Sequence, residues 1–175
     1  RGAVKVDEHL RTNVDGVYAA GDVNGGPQFT YVSFDDHRII LEDAWGADKG
    51  HAGARSTRGR VLPTTTFIEP PLATVGMSEA AAVGEGYDVV VRSGLIADMA
   101  IVPRPKILGQ TDGMAKFVID AKSDLILGAT LFCPDAQELI NAVAVAIRSG
   151  MTATELGGGI YTHPSTSELF NALLG

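Results

Sequence analysis

The apolar residues of this chain fall in short clusters separated by glycines, prolines and polar turns. Residues 3–6 (Ala-Val-Lys-Val) and 16–20 (Gly-Val-Tyr-Ala-Ala) are rich in β-branched and aromatic side chains between turn-formers, which predicts two short strands. The second runs directly into Gly21-Asp22. From Tyr31 to Trp45 the chain has neither glycine nor proline, carries acids early (Asp35, Asp36) and meets Gly46 after its last turn. That pattern predicts a helix whose dipole the acids complement. Strand, Gly-Asp, loop and helix make an α/β unit.

Residues 46–62 hold four glycines, scattered charges and almost no bulky apolar side chains, which predicts a domain boundary. We assign residues 1–55 to one domain with its linker and residues 56–175 to a second. In the second, a strand is expected at 64–68, a Pro-Pro break at Pro70-Pro71, and a short helix capped by Ser78 and stopped near Gly84. A strand at 87–96, a loop around Pro103 and Pro105, and a hairpin of 115–120 with 125–133 follow. Asp135 with Glu138 reads as a capping box for a helix to Ile147, Thr152 with Glu155 as another for a very short helix, and Ser165 with Glu168 as a third for a final helix to Leu174. The 136–147 helix is nearly apolar all round, so we expect it to be covered on more than one side, by its own sheet and by a second subunit. Several hairpins with helices between and after them predict an α+β second domain with an antiparallel sheet.

Composition narrows the partners. The chain has 175 residues, 45% of them hydrophobic, and a net charge of −7 with no run of Lys or Arg. This argues against nucleic acid and anionic membranes. No apolar run approaches the roughly 20 residues of a membrane span. Cys133 is the only cysteine, which excludes an intrachain disulfide or a Cys-rich metal site and points to a reducing, cytoplasmic compartment. It ends an apolar strand and reads as a buried small hydrophobe. The chain begins at Arg1 rather than at a methionine, so a fragment is expected, and no targeting signal can be judged.

Two stretches carry chemistry. Asp22 falls just past a strand end, where α/β sheets place ligands, and a carboxylate there can accept hydrogen bonds from sugar or ribityl hydroxyls. Gly21 would let a ligand approach the backbone, and amides around Thr30 and Tyr31 would present an electropositive helix start. The same Gly-Asp is also compatible with a simple turn. Near the other end, His163 and Glu168 stand five residues apart across Pro164, an imidazole beside a carboxylate that could orient it. Glu168 could equally close the capping box with Ser165, and the two roles are compatible. His9, His37 and His51 have no partners at metal-ligand spacing and read as surface residues.

These residues resemble a known family. Thr12-x-x-x-x-Val17-Tyr18-Ala19-x-Gly21-Asp22 is similar to the second flavin-binding motif of the FAD-dependent pyridine nucleotide-disulfide oxidoreductases. Gln28-Phe29-Thr30-Tyr31-Val32 resembles their loop and helix start beneath the flavin, Pro70 to Glu79 the opening of their interface domain, and His163-Pro164-Ser165-Thr166-Ser167-Glu168 their terminal His-Pro-Thr-x-x-Glu signature. The resemblance implies the last segment of an FAD-binding domain followed by a whole dimerisation domain. It implies that Asp22 holds a ribityl hydroxyl, that Gly21, Phe29, Thr30 and Tyr31 line the cofactor, and that His163, held by Glu168, serves the active site of the other subunit of a homodimer. A cis His163–Pro164 bond is expected as well.

There are departures. The sequence has no Gly-x-Gly-x-x-Gly, no redox cysteine pair and no nicotinamide-binding domain, so this polypeptide alone is expected to be inactive. The Gln28 to Val32 stretch is closest to mercuric reductases and to reductases linked with reactive-chlorine resistance. His163 stands where the mercuric branch typically has tyrosine, which favours disulfide or oxidant chemistry. The glycine run 157–159 would leave the approach to His163 loose. The reading is an enzyme passing electrons from NAD(P)H through FAD and a cysteine pair to a small disulfide or related oxidant. The alternatives are a dimerisation or binding module without redox activity, and a mercuric reductase-like metal reductase.

Overall fold

The computed structural model describes residues 2–46, 50 and 54–175, and the chain divides into two compact units, Arg1–Arg60 and Val61–Gly175. His51 lies outside the described residues.

In the first unit neither expected strand forms a ladder. Residues 16–20 contribute one isolated bridge, Tyr18 to Arg11, and Val4 N–H donates singly to Val23 O at 2.8 Å. A strand is held by a neighbour running alongside it for several residues; residues 16–20 meet 10–12 only through Thr12 N–H to Val17 O and Ala19 N–H to Leu10 O, too short a run for a ladder. The second ends in a 3-10 turn, Gly21–Asn24. Helix α1 then spans Thr30–Trp45, and Gly46 N–H closes it on Glu42 O at 2.9 Å. The expected dipole complement is not there: the first turn contains no acid. Asp35 and Asp36 lie further along and pair with arginines instead, Arg60 reaching both at 3.0 and 2.7 Å. At the far end of α1, Asp43 takes both Arg11 Nε and Nη2 (2.7 and 2.6 Å) and the Tyr18 hydroxyl (2.8 Å). The guanidinium holds that carboxyl below the usual carboxylate range. Residues 55–60 are strapped onto the same unit by Arg55 to Glu42 and Thr57 N–H to Glu8 O.

The second unit is a five-stranded sheet with helices, in the order β1 (Thr64–Thr66), β2 (Leu72–Gly76), α2 (Glu79–Gly84), β3 (Val89–Leu95), α3 (Pro103–Leu108), β4 (Met114–Asp120), β5 (Ile126–Phe132), α4 (Ala136–Arg148), α5 (Ala153–Gly157) and α6 (Leu169–Leu174). All pairings are antiparallel and the strand order is β1-β2-β5-β4-β3, so the fold is α+β. The β4–β5 hairpin turns through Asp124 at φ 59°, with Asp120 accepting from Ser123 N–H. Ala73 faces Leu131 and Phe117 faces Ala129 across the ladders. Their side chains join Leu139, Ile140, Val143 and Ala146 of α4 and Leu169 and Phe170 of α6 in one core. Phe117 meets Phe170 edge to face, 6.1 Å between centroids.

Four local expectations are corrected. Strand β2 was not expected, because five residues of mixed size after Pro-Pro carry little pattern; it exists because β1 and β5 pair with it on both sides. Strand β1 stops at Thr66, since Ile68 N–H turns back to Thr66 O. The Pro103-Pro105 stretch is helix α3, both prolines falling in the first turn, where no N–H is required. Asp135 does not cap α4: it sits in the left-handed region at φ 62° with no side-chain bond to the helix. The caps at Ser78 (from Ala81 N–H, 3.2 Å) and Thr152 with Glu155 are formed.

Phe117 is wholly buried at the centre of this core. Phe117→Ala should lower stability by about 3–5 kcal/mol, read from the denaturant midpoint of the intact protein.

Candidate active site

His163 stands on the loop between α5 and α6. The glycine run before it is pinned rather than loose. Gly157 is buried, and a Cβ there would lie 2.4 Å from the backbone carbon of Leu174, so only glycine lets the end of α6 come this close. Asn171 of α6 donates through Nδ2 to both Gly157 O (2.6 Å) and Gly159 O (2.9 Å). The Tyr161 hydroxyl donates to Leu156 O, and its ring packs on Phe170 at 5.4 Å. Beyond the histidine, Thr166 is buried and its hydroxyl donates to Asp135 Oδ2 at 2.6 Å. The loop is thus tied on both flanks to the core below it.

The His163–Pro164 peptide is cis. His163 Nδ1 lies 2.8 Å from Glu168 Oε1, while Glu168 Oε2 accepts from Ser165 N–H at 2.9 Å. One carboxylate therefore fills both roles open to it, helix start and imidazole partner. The Ser165 amide first, and the imidazole second, hold the Glu168 carboxyl below its ordinary range. A carboxylate only accepts, so Nδ1 carries the hydrogen toward Glu168 and Nε2 is left as the exchanging nitrogen. The His163 side chain is 69% exposed and Glu168 only 13%, which suits a held group presented outward.

The second site is the Gly21–Asn24 turn. Gly21 is buried at φ 69°, and a Cβ there would lie 2.2 Å from Ser33 Oγ. Glycine is needed for α1 to approach the turn, a different reason from the ligand approach expected above. Asp22 is exposed, and its carboxylate has no hydrogen-bond partner among the described residues. Phe29 gives α1 no side-chain cap, and its ring stacks on Tyr31 at 5.1 Å and 17°. Phe29, Thr30 and Tyr31 are all exposed, and partial burial pushes the Tyr31 hydroxyl above its ordinary value. An unpartnered carboxylate on a tight turn, followed by an exposed aromatic pair at a helix start, suits a polyol chain joined to a flat ring.

Other candidates are quieter. Cys133 is buried, and burial pushes its thiol up to about 12, so it packs and does not attack. His37 is exposed, and His9 Nδ1 lies 3.1 Å from Arg55 O.

The two-part chain belongs to the pyridine nucleotide-disulphide oxidoreductases: the family's dimerisation-domain profile matches residues 62–174 and a second profile of the family matches residues 1–36. Among individual relatives, it is 41% identical over 174 residues to the probable pyridine nucleotide-disulfide oxidoreductase RclA of Escherichia coli, covering 99% of this chain and 38% of that protein. It is 37% identical to dihydrolipoyl dehydrogenase of Mycobacterium tuberculosis, covering 100% and 37%, and 35% identical to mercuric reductase of Staphylococcus aureus, covering 89% and 27%. The solved structure of the HOCl-induced flavoprotein disulfide reductase RclA from E. coli superposes with a TM-score of 0.90 at 40% identity, over 99% of this chain and 38% of that one. The chain therefore spans less than two fifths of the length of these relatives.

Sequence reasoning singled out His163, Glu168 and Asp22 but gave no holding role to Asn171, Thr166 or Asp36, which hold the surrounding backbone. No local signal marked them, because their partners lie 12 or more residues away.

Glu168 supplies a pH test. Because its folded-state pKa is lowered, its contribution to stability is present above the ordinary glutamate range and lost as pH falls through the lowered value. Carbon-detected NMR should show this carboxyl titrating below the unfolded-state value, and Glu168→Gln should remove that part of the acid destabilisation.

Proposed function

We propose that this chain is the dimerisation end of a homodimeric, NAD(P)H-dependent flavoprotein that reduces a small disulfide or a related oxidant. The observation that carries the proposal is the His163–Glu168 pair, an outward imidazole with Nδ1 held at 2.8 Å by a carboxylate that also closes a helix start. Such a group accepts and returns a proton at Nε2 without losing its orientation.

In this reading His163 serves the partner subunit's active site. Nε2 takes the proton as a substrate-facing thiol becomes thiolate, and returns it to the thiolate that leaves when the substrate disulfide breaks, releasing it as a thiol. Glu168 offsets the charge of the protonated ring in between. Asp22 accepts hydrogen bonds from the ribityl hydroxyls of FAD, and Gly21, Phe29, Thr30 and Tyr31 lie along the same cofactor. FAD would supply the passage of two electrons from the nicotinamide to a cysteine pair, which this sequence does not contain. That the similar E. coli RclA is a flavoprotein disulfide reductase supports a disulfide-type acceptor. The single cysteine and the net charge of −7 support a cytoplasmic protein with no nucleic-acid or membrane partner. Among the described residues no helix is long and apolar enough to cross a membrane.

In the intact flavoenzyme, His163→Gln should leave flavin reduction by NAD(P)H largely unchanged in stopped-flow absorbance. It should slow disulfide turnover by about a hundredfold or more, the range that general acid–base groups supply. Equal loss in both half-reactions would overturn the assignment.

A further inference from the structure

Asp36 is one of two polar or charged residues buried among the described residues, 1% exposed in the middle of α1. Nothing in the proton-transfer chemistry uses it. Its oxygens divide their partners: Oδ2 accepts from Gly21 N–H at 2.8 Å and from Asn24 Nδ2 at 3.1 Å, while Oδ1 accepts from Arg60 Nη2 at 2.7 Å. Gly21 and Asn24 are the first and last residues of the four-residue turn that carries Asp22. One buried oxygen thus grips both ends of the turn, and Arg60 balances the carboxylate from behind. Asn24 extends the grip, donating also to Ala19 O at 3.3 Å and accepting from Gly26 N–H at 2.9 Å through its side-chain oxygen. Asp22, between the gripped ends, is the one acidic side chain of the turn and points to solvent with no partner among the described residues.

A turn exposed to water would sample other conformations, and a ligand binding Asp22 would have to order it first. Fixing both ends in advance removes that cost. Burying a carboxylate is itself unfavourable unless its acceptor sites are filled, and here three donors, one of them a guanidinium, fill them. We propose that Asp36, with Asn24 and Arg60, is a positioning cluster that holds the Gly21–Asn24 turn so that Asp22 presents its carboxylate to the ribityl chain of FAD. The inference rests on the reading of Asp22 as the ribityl ligand.

The test measures FAD dissociation constants, by flavin fluorescence, on the full-length protein stripped of flavin. Asp22→Ala should weaken binding. Asp36→Asn keeps the shape but puts an NH2 group against Gly21 N–H or Arg60, and should weaken FAD by about tenfold or more, the size of one charged hydrogen bond. Should that variant fail to fold, Asn24→Ala carries the test, with an expected loss of about threefold. The deciding readout is the cycle of Asn24→Ala with Asp22→Ala. A cluster that acts through Asp22 loses its effect once Asp22 is gone, whereas a general structural role costs the same factor in both backgrounds. Equal factors, or unchanged affinity in Asp36→Asn and Asn24→Ala while Asp22→Ala binds weakly, would overturn the positioning role alone. Unchanged affinity in Asp22→Ala would overturn the ribityl reading itself, and the positioning role with it.

Discussion

Strand β5 pairs on both sides, with β2 and with β4, and the second unit hangs on that double ladder. Its residues Ala129 and Leu131 are inside the core, and α4, which follows it after a left-handed residue at Asp135, lies back across β2 and β5. The junction between β5 and α4 is therefore one of the best-anchored points of the unit. Asp135 sits there with its side chain turned away from its own helix, and it receives the Thr166 hydroxyl from the loop that carries His163. Sheet pairing sets the junction, the junction holds Thr166, and Thr166 is three residues from the imidazole.

The two sites share one physical device, a carboxylate whose two oxygens serve different masters. Glu168 spends one oxygen on a backbone amide and the other on an imidazole nitrogen. Asp36 spends one on the two ends of a turn and the other on a guanidinium. In each case local backbone geometry and the presentation of a neighbouring side chain are set by the same group. Such dual use makes the site precise, because moving the side chain breaks both contacts at once.

Much of this was legible in the sequence. The α1 helix, the β4–β5 hairpin, the Ser78 and Thr152 caps and the final helical turn each rest on contacts within a few residues, and each is present. The pairing of His163 with Glu168 was legible for the same reason. The misread elements have non-local causes. Residues 3–6 and 16–20 have strand-like composition without strand neighbours, whereas β2 has weak composition and neighbours on both sides. Asp135 satisfied the capping pattern, yet its left-handed backbone carries the carboxylate to Thr166, 31 residues away.

The sequence by itself determined the chemistry available: an imidazole with a carboxylate five residues on across a proline, one carboxylate after Gly21, and a single thiol with no redox partner. It also carried enough ordered motifs to place the chain in its family. Tertiary structure alone decided what holds these groups still. Asn171 on two glycine carbonyls, Thr166 on Asp135, and Asp36 on Gly21, Asn24 and Arg60 are all contacts between residues distant in the chain. Side-chain periodicity reports which face of an element is buried; it does not report which donor on another element that face will meet.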